Sequence, residues 1–178
     1  MVHYEVTYMN LKLIGAVMII VCCSGFGFSL AARHLDEIQC YKVLIKILEY
    51  MSWELHYRLT PLPQLCRQAA MHGKHRIFTV FQKFAAELDN QVAPDAYACM
   101  QNVTNRTANL PDSVKESIME LSECLGRFDL EGQLQGIEST RNLCFAKLND
   151  LEKNKDVRLR SYQTLGICAG AAVVILLI

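Results

Sequence analysis

Proline is scarce. The chain has four prolines, Pro61, Pro63, Pro94 and Pro111, none before the first or after the last. Proline inside a helix removes a donor and clashes with the preceding turn. Its absence leaves two long stretches, residues 1–60 and everything after Pro111, free to form unbroken helix. Alternation of apolar and polar residues with period two is missing over any useful length, which excludes a sheet. There is no surplus of charge, with 18 basic against 18 acidic residues, so the chain lacks the electrostatic footprint of a nucleic-acid binder. The eight cysteines contain no C-x-x-C pair. Cys40, Cys66, Cys99, Cys124 and Cys144 fall at apolar helical positions, as small hydrophobes do.

Catalytic and cofactor signatures are also missing. The stretch "CLGRFDLEGQLQGIE", Cys124 to Glu138, places Gly126, Gly132 and Gly136 beside Arg127, Asp129 and Glu131. A phosphate loop would need G-x-x-x-x-G-K-[ST] after a strand. Here Gln133 and Leu134 follow Gly132, and no strand precedes. "HGKH" offers His72 and His75, but a metal site needs three or four ligands; a solvated turn is the expected reading. Asp129 and Glu131 lack a paired base, and no Ser-His-Asp or Cys-His set has supporting context. The expectation is no enzyme, no cofactor and no metal. The three glycines then read as a corner and a contact strip: Gly126 ends one helix, Asp129 caps the next, and Gly132 and Gly136 let a neighbour approach.

Two uncharged runs dominate what is present. Leu13 to Ala32, "LIGAVMIIVCCSGFGFSLAA", is long enough as a helix to span about 30 Å, the thickness of a bilayer core. A signal peptide is its rival, but the run exceeds the usual apolar region and Lys12 is the sole lysine or arginine before it. Ser161 to Ile178 is the second run, about 27 Å as a helix. Within it, Gly166 and Gly170 form a G-x-x-x-G suited to close packing of membrane helices. Arg33, Lys42 and Lys46 follow the first run, and Lys147, Lys153, Lys155, Arg158 and Arg160 precede the second. The positive-inside rule therefore puts the middle of the chain in the cytoplasm. The expected organisation is a short extracytoplasmic N-terminus at 1–12, a transmembrane helix at 13–32, a cytosolic helical bundle at 33–160 and a C-terminal transmembrane helix at 161–178.

The middle reads as helix throughout. Ile38, Tyr41, Ile45, Leu48, Ser52, Leu55 and Leu59 recur at three-four spacing, continuing from the first run. "RLTPLPQL" stops that helix, with Thr60 expected as N-cap and Pro61 at the first helical position. Ile77, Phe78, Phe81, Phe84, Ala85 and Leu88 mark the inner face of a third helix. A shorter fourth spans about Asp95 to Thr107. Val114, Ile118, Leu121, Cys124 and Leu125 mark a fifth. Leu134, Ile137, Arg141, Cys144, Leu148 and Leu151 mark a last, long one. The fold class is all-α, an antiparallel bundle of about six helices between two membrane helices.

Four stretches together resemble the stage III sporulation protein AB family. "LKLIGAVMII", Leu11 to Ile20, looks like its start. "WELHYRLTPLPQL" is similar to its E-(I/L)-x-Y-x-x-TPLP element, carried by Glu54, Leu55, Tyr57, Thr60, Pro61, Leu62 and Pro63. "LGRFDLEGQL" is similar to a second element, carried by Leu125, Gly126, Asp129, Gln133 and Leu134. "YQTLGICAGAAVVILLI" looks like its terminal anchor. Phe128 departs from the family, which usually has Ser or Thr there. Residues 1–8 precede the usual beginning, which makes Met9 an alternative start.

The resemblance implies a component of the channel complex between mother cell and forespore, in the mother-cell membrane facing the forespore. It also implies a bundle similar to the helical domains of type II secretion and type IV pilus platform proteins, which contact a hexameric cytosolic ATPase. The expected partners are the AA-type ATPase, other membrane proteins of the complex and membrane lipid, with no nucleic acid. The alternatives are a platform protein of another secretion or pilus system, or a metal- or ligand-binding membrane sensor. The partner-contact candidates are Glu54, Thr60, Pro61, Leu62, Arg127, Asp129 and Gln133. Reversing the charge at Asp129 is expected to weaken partner binding without unfolding the chain.

Overall fold

The computed structural model describes residues 2–73 and 75–153, Lys155, and single positions of the last stretch: Ser161, Thr164, Cys168, Ala172 and Ile175. Among the described residues there are six helices and no strand: α1 Val2–Arg58, α2 Leu62–Ala70, α3 His75–Asp89, α4 Ala96–Asn105, α5 Asp112–Cys124 and α6 Leu130–Lys153. The chain divides into two compact units, residues 1–36 with 151–178, and Glu37–Asp150.

Most side chains of the first apolar run, and most residues of the second, lie outside the described part, as do Gly166 and Gly170. Among the described residues no helix is long and apolar enough to cross a membrane. What the structure does give is the continuity expected from the missing prolines: α1 runs unbroken from Val2 to Arg58.

In the Glu37–Asp150 unit, α1 is the central helix. Tyr41, Leu44, Ile47, Leu48 and Met51 are all fully buried. That arc is wider than the single stripe expected, because neighbours cover α1 from several sides, as a helix that is apolar most of the way round requires. Lys42, Lys46, Glu49, Trp53 and Tyr57 mark its one exposed face. Two expected core positions differ. Ser52 is only half-buried, and Leu59 is exposed, because the helix ends one residue before it.

α2 packs on α3, and α4 packs on both α3 and α5. On α3, Ile77, Val80, Phe81, Phe84 and Ala85 are buried. Phe78, expected inside, is exposed, and Val80 takes its place in the core. α4 is capped by Asp95, whose Oδ1 accepts the Ala98 N–H at 2.7 Å, satisfying an orphan donor of the first turn. α5 buries Val114, Ile118, Leu121 and Cys124 as its spacing predicts. Its two buried serines turn their hydroxyls back to the helix, Ser117 to the Ser113 carbonyl at 3.1 Å and Ser122 to the Met119 carbonyl at 2.6 Å. α6 returns along α5: Gly136 lies on Cys124, and Lys147 Nζ stands 3.8 Å from Glu116. It also runs antiparallel to α1, with Arg141 beside Glu49.

Among the described residues, four corners turn through one left-handed residue each: Leu59 (φ 52°), Gln91 (φ 48°), Asn109 (φ 60°) and Gly126 (φ 74°). Asparagine and glycine suit that region; a leucine there is strained.

Candidate partner-binding surface

The α1–α2 corner is built around a buried acid. The Glu54 side chain is 2% exposed. Its Oε1 accepts the Thr60 hydroxyl at 2.8 Å and stands 3.7 Å from Arg58 Nη1, one turn further along. Its Oε2 is buried and accepts no hydrogen bond. Thr60 therefore does not cap α2, contrary to the sequence expectation. The N-cap is Pro61, with no side-chain cap bond. The reason is local: the Thr60 hydroxyl is turned to Glu54, and of the two N–H groups a cap reaches, two or three residues on, Pro63 lacks the second. The Pro61 carbonyl instead accepts the Leu65 N–H at 2.9 Å.

One turn earlier, Tyr50 ties α1 to α2. Its hydroxyl donates to Gln68 Oε1 at 3.1 Å. Its ring lies 4.3 Å, centroid to centroid, from His72. Burial, and then the charge of Glu54, push the Tyr50 phenol up. His72 of the "HGKH" turn is exposed and set against that ring. Among the described residues no group of three or more potential ligands could hold a metal ion.

The α5–α6 corner has the form expected from the sequence. α5 stops at Cys124, Leu125 is extended and buried, and Gly126 takes the left-handed conformation. Asp129 then caps α6, its Oδ1 accepting the Gly132 N–H at 3.0 Å. Gln133 Nε2 donates to the Phe128 carbonyl at 2.9 Å. Gly136 answers the question raised by the third glycine. A Cβ there would collide with Cβ and Sγ of Cys124, so its missing side chain serves contact inside the bundle.

The two corners meet. A Cβ on Gly126 would lie 3.5 Å from Leu62 Cδ2, so both motifs singled out from the sequence come to one end of the bundle. Most of the seven candidates have a task within it. Glu54 and Thr60 bond each other, Pro61 and Leu62 start α2, and Asp129 and Gln133 hold the start of α6. Arg127 differs: it is exposed and engages no other side chain among the described residues. The two corners also carry exposed apolar residues, Leu59, Phe128 and Leu130.

Sequence reasoning missed a groove between α1 and α6. It has a volume of about 750 Å³, and its lining includes Glu49, Trp53 and Tyr57 from α1 and Glu131, Glu138 and Arg141 from α6. Trp53 is 50% and Tyr57 68% exposed. The signal was available: Trp53, His56 and Tyr57 lie three and four residues apart, facing away from the apolar stripe.

Among the described residues the fold is an all-α helical unit. Comparison with known proteins identifies its family. The family described as stage III sporulation protein AB matches residues 12–178, and the chain belongs to that family. It is 27% identical over 169 residues to stage III sporulation protein AB of Bacillus subtilis (strain 168), covering 94% of this chain and 99% of that protein. A solved structure of stage III sporulation protein AB is similar in fold, with a TM-score of 0.60 at 23% identity, over 68% of this chain and 98% of that one.

Proposed function

We propose that the chain is a non-enzymatic adaptor of the sporulation channel, anchored in the mother-cell membrane by its two apolar runs, with the bundle in the cytoplasm recruiting the AA-type hexameric ATPase. The family supports a role in sporulation. The length of the two uncharged runs and the basic residues that flank them support the anchoring. The observation that carries the adaptor reading is the bundle end where the two corners meet. Arg127, with no side-chain partner among the described residues, is exposed there next to Phe128 in sequence, and Leu59, Phe128 and Leu130 of the two corners are 65%, 57% and 39% exposed. Exposed charge together with exposed apolar residues is how a protein-binding patch is composed.

The test is capture of the ATPase by the full chain in detergent. Arg127→Glu is the variant of choice, since Asp129 caps α6 and its replacement costs about 1 kcal/mol of folding on its own account. The expected result is capture by the native chain and at least tenfold weaker capture by Arg127→Glu, with circular dichroism and thermal midpoint unchanged. Failure of the native chain to capture the ATPase, or a stoichiometric metal in the purified protein, would sink the reading. Retention in the membrane fraction through carbonate washing, with release by detergent, checks the anchors.

A further inference from the structure

We propose that the groove between α1 and α6 docks an amphipathic helix of a protein partner carrying arginine or lysine beside apolar residues. This deepens the adaptor reading and rests on it.

The charge of the groove is the first argument. Its lining carries three carboxylates, Glu49, Glu131 and Glu138, against one guanidinium, Arg141. That guanidinium is already used. Arg141 Nη2 donates to Glu138 Oε1 at 2.6 Å, Nε donates to Glu138 Oε2 at 3.1 Å, and Nη1 reaches Glu49 at 3.5 Å. Among the described residues Glu131 has no ion pair. The groove keeps an excess of negative charge that a basic segment would neutralise. The same excess repels the phosphates of anionic lipid and of nucleic acid, which selects a protein segment as the occupant.

The aromatic wall is the second argument. Trp53 and Tyr57 are one helical turn apart with their rings 5.5 Å between centroids. The Arg58 guanidinium already lies 5.7 Å from the Trp53 centroid, within the range of about 6 Å for cation–π attraction. The wall thus accepts a guanidinium from its own helix, and the more exposed Tyr57 offers the same face to a guanidinium from outside. Tryptophan, tyrosine and arginine are the residues that most often anchor interfaces.

Shape is the third. From Glu49 to Tyr57 the α1 wall extends about 12 Å at 1.5 Å per residue. That is roughly two turns of a docked helix, the length over which i, i+3, i+4 and i+7 anchors recur.

The chain has one tryptophan, so Trp53 emission reads the groove directly. The experiment uses the full chain in detergent and two tryptophan-free amphipathic helical peptides, identical except for arginine or glutamate at their polar positions. Anionic phospholipid vesicles and the AA-type ATPase are tested in parallel. The expected result is a blue shift with the basic peptide, weakened at least tenfold by Glu131→Lys or by Tyr57→Ala. The acidic peptide is expected to act only on Glu131→Lys. No shift with the basic peptide, an equal shift with both peptides, a shift with vesicles instead, or a shift that follows self-association in sedimentation would overturn the proposal. ATPase capture insensitive to Glu131→Lys and Tyr57→Ala overturns the groove and leaves the adaptor role standing. Binding of the basic peptide without ATPase capture upholds the groove and overturns the adaptor role.

Discussion

Thr60 donates its hydroxyl to Glu54 Oε1 across 2.8 Å, and this buried bond closes the α1–α2 corner. The side chain of Glu54 is 2% exposed, so its oxygens have little water to replace a lost donor. Thr60→Val keeps the shape and removes the hydroxyl. It should cost about 1–3 kcal/mol, the penalty for leaving a buried polar group unpaired. Glu54→Gln keeps an acceptor for Thr60 and should cost less than Thr60→Val. The two substitutions should be non-additive in a double-mutant cycle, since the residues share one bond. Urea unfolding followed by Trp53 emission measures all four corners of the cycle; additive costs would contradict the assignment.

Gly136 and Gly132 should respond unequally to alanine. At Gly136 a new Cβ meets Cβ and Sγ of buried Cys124, on a helix that cannot step away without opening the α5–α6 contact. Overpacking of that kind costs about 1–3 kcal/mol. At Gly132 a new Cβ meets Phe128 Cβ at 2.7 Å and the capping Asp129 Oδ1 at 3.0 Å. Rotating the Phe128 side chain leaves its own Cβ in place, so the backbone at the start of α6 must shift, and the gain in helix propensity, roughly 1 kcal/mol, offsets only part of that. Gly136→Ala should lower the urea midpoint, and Gly132→Ala should lower it by less, because the first turn of α6 is exposed and can adjust.

How much of this was legible in the sequence depends on how local each cause is. The α5–α6 corner could be read because glycine at the turn and aspartate three residues before Gly132 act through their own backbone. The core face of α5 followed from spacing alone; on α6 spacing found Ile137, Cys144 and Leu148 but missed buried Thr140, while Leu134 and Arg141 turn to the groove and Leu151 is half-buried. Thr60 misled because a capping residue was inferred from type, while its hydroxyl is committed to Glu54. Phe78 and Val80 exchanged places because periodicity gives a face but not which neighbour covers its edge. The α1–α6 groove stayed hidden since its walls are about 80 residues apart in sequence, and only tertiary structure sets Trp53 against Glu131. The two apolar runs remain a matter of length and hydropathy.

Leu59 is bulky, 65% exposed and held at φ 52°. A left-handed conformation costs an ordinary residue about 1–2 kcal/mol, and exposure means little burial is lost with the side chain. Leu59→Gly should therefore stabilise the bundle by up to about 1 kcal/mol after the added chain entropy. That would raise the thermal midpoint by about 2–4 °C in a unit of this size. A fall in the midpoint would show that the leucine side chain contributes packing the corner needs.

Cys144 gives the pH dependence. It is fully buried against α5, and burial pushes its thiol up from the ordinary 9.0 to about 11, opposed by the neighbouring Ser117 hydroxyl and by Lys147. The raised value means the folded state holds its proton where the unfolded chain has lost it. Below pH 9 both states are protonated and stability is at its full value. Above pH 9 the unfolded thiol ionises first, so stability falls with rising pH until the folded thiol also ionises near 11. Cys144→Ala lacks this loss. The stability difference between the native chain and Cys144→Ala, taken from urea midpoints, should shrink between pH 8 and pH 10.5. The other buried thiols contribute equally to both proteins and cancel. A constant difference across that range would mean that the thiol titrates alike in both states. Iodoacetamide at pH 8 should likewise leave Cys144 and Cys66 unmodified until the chain unfolds.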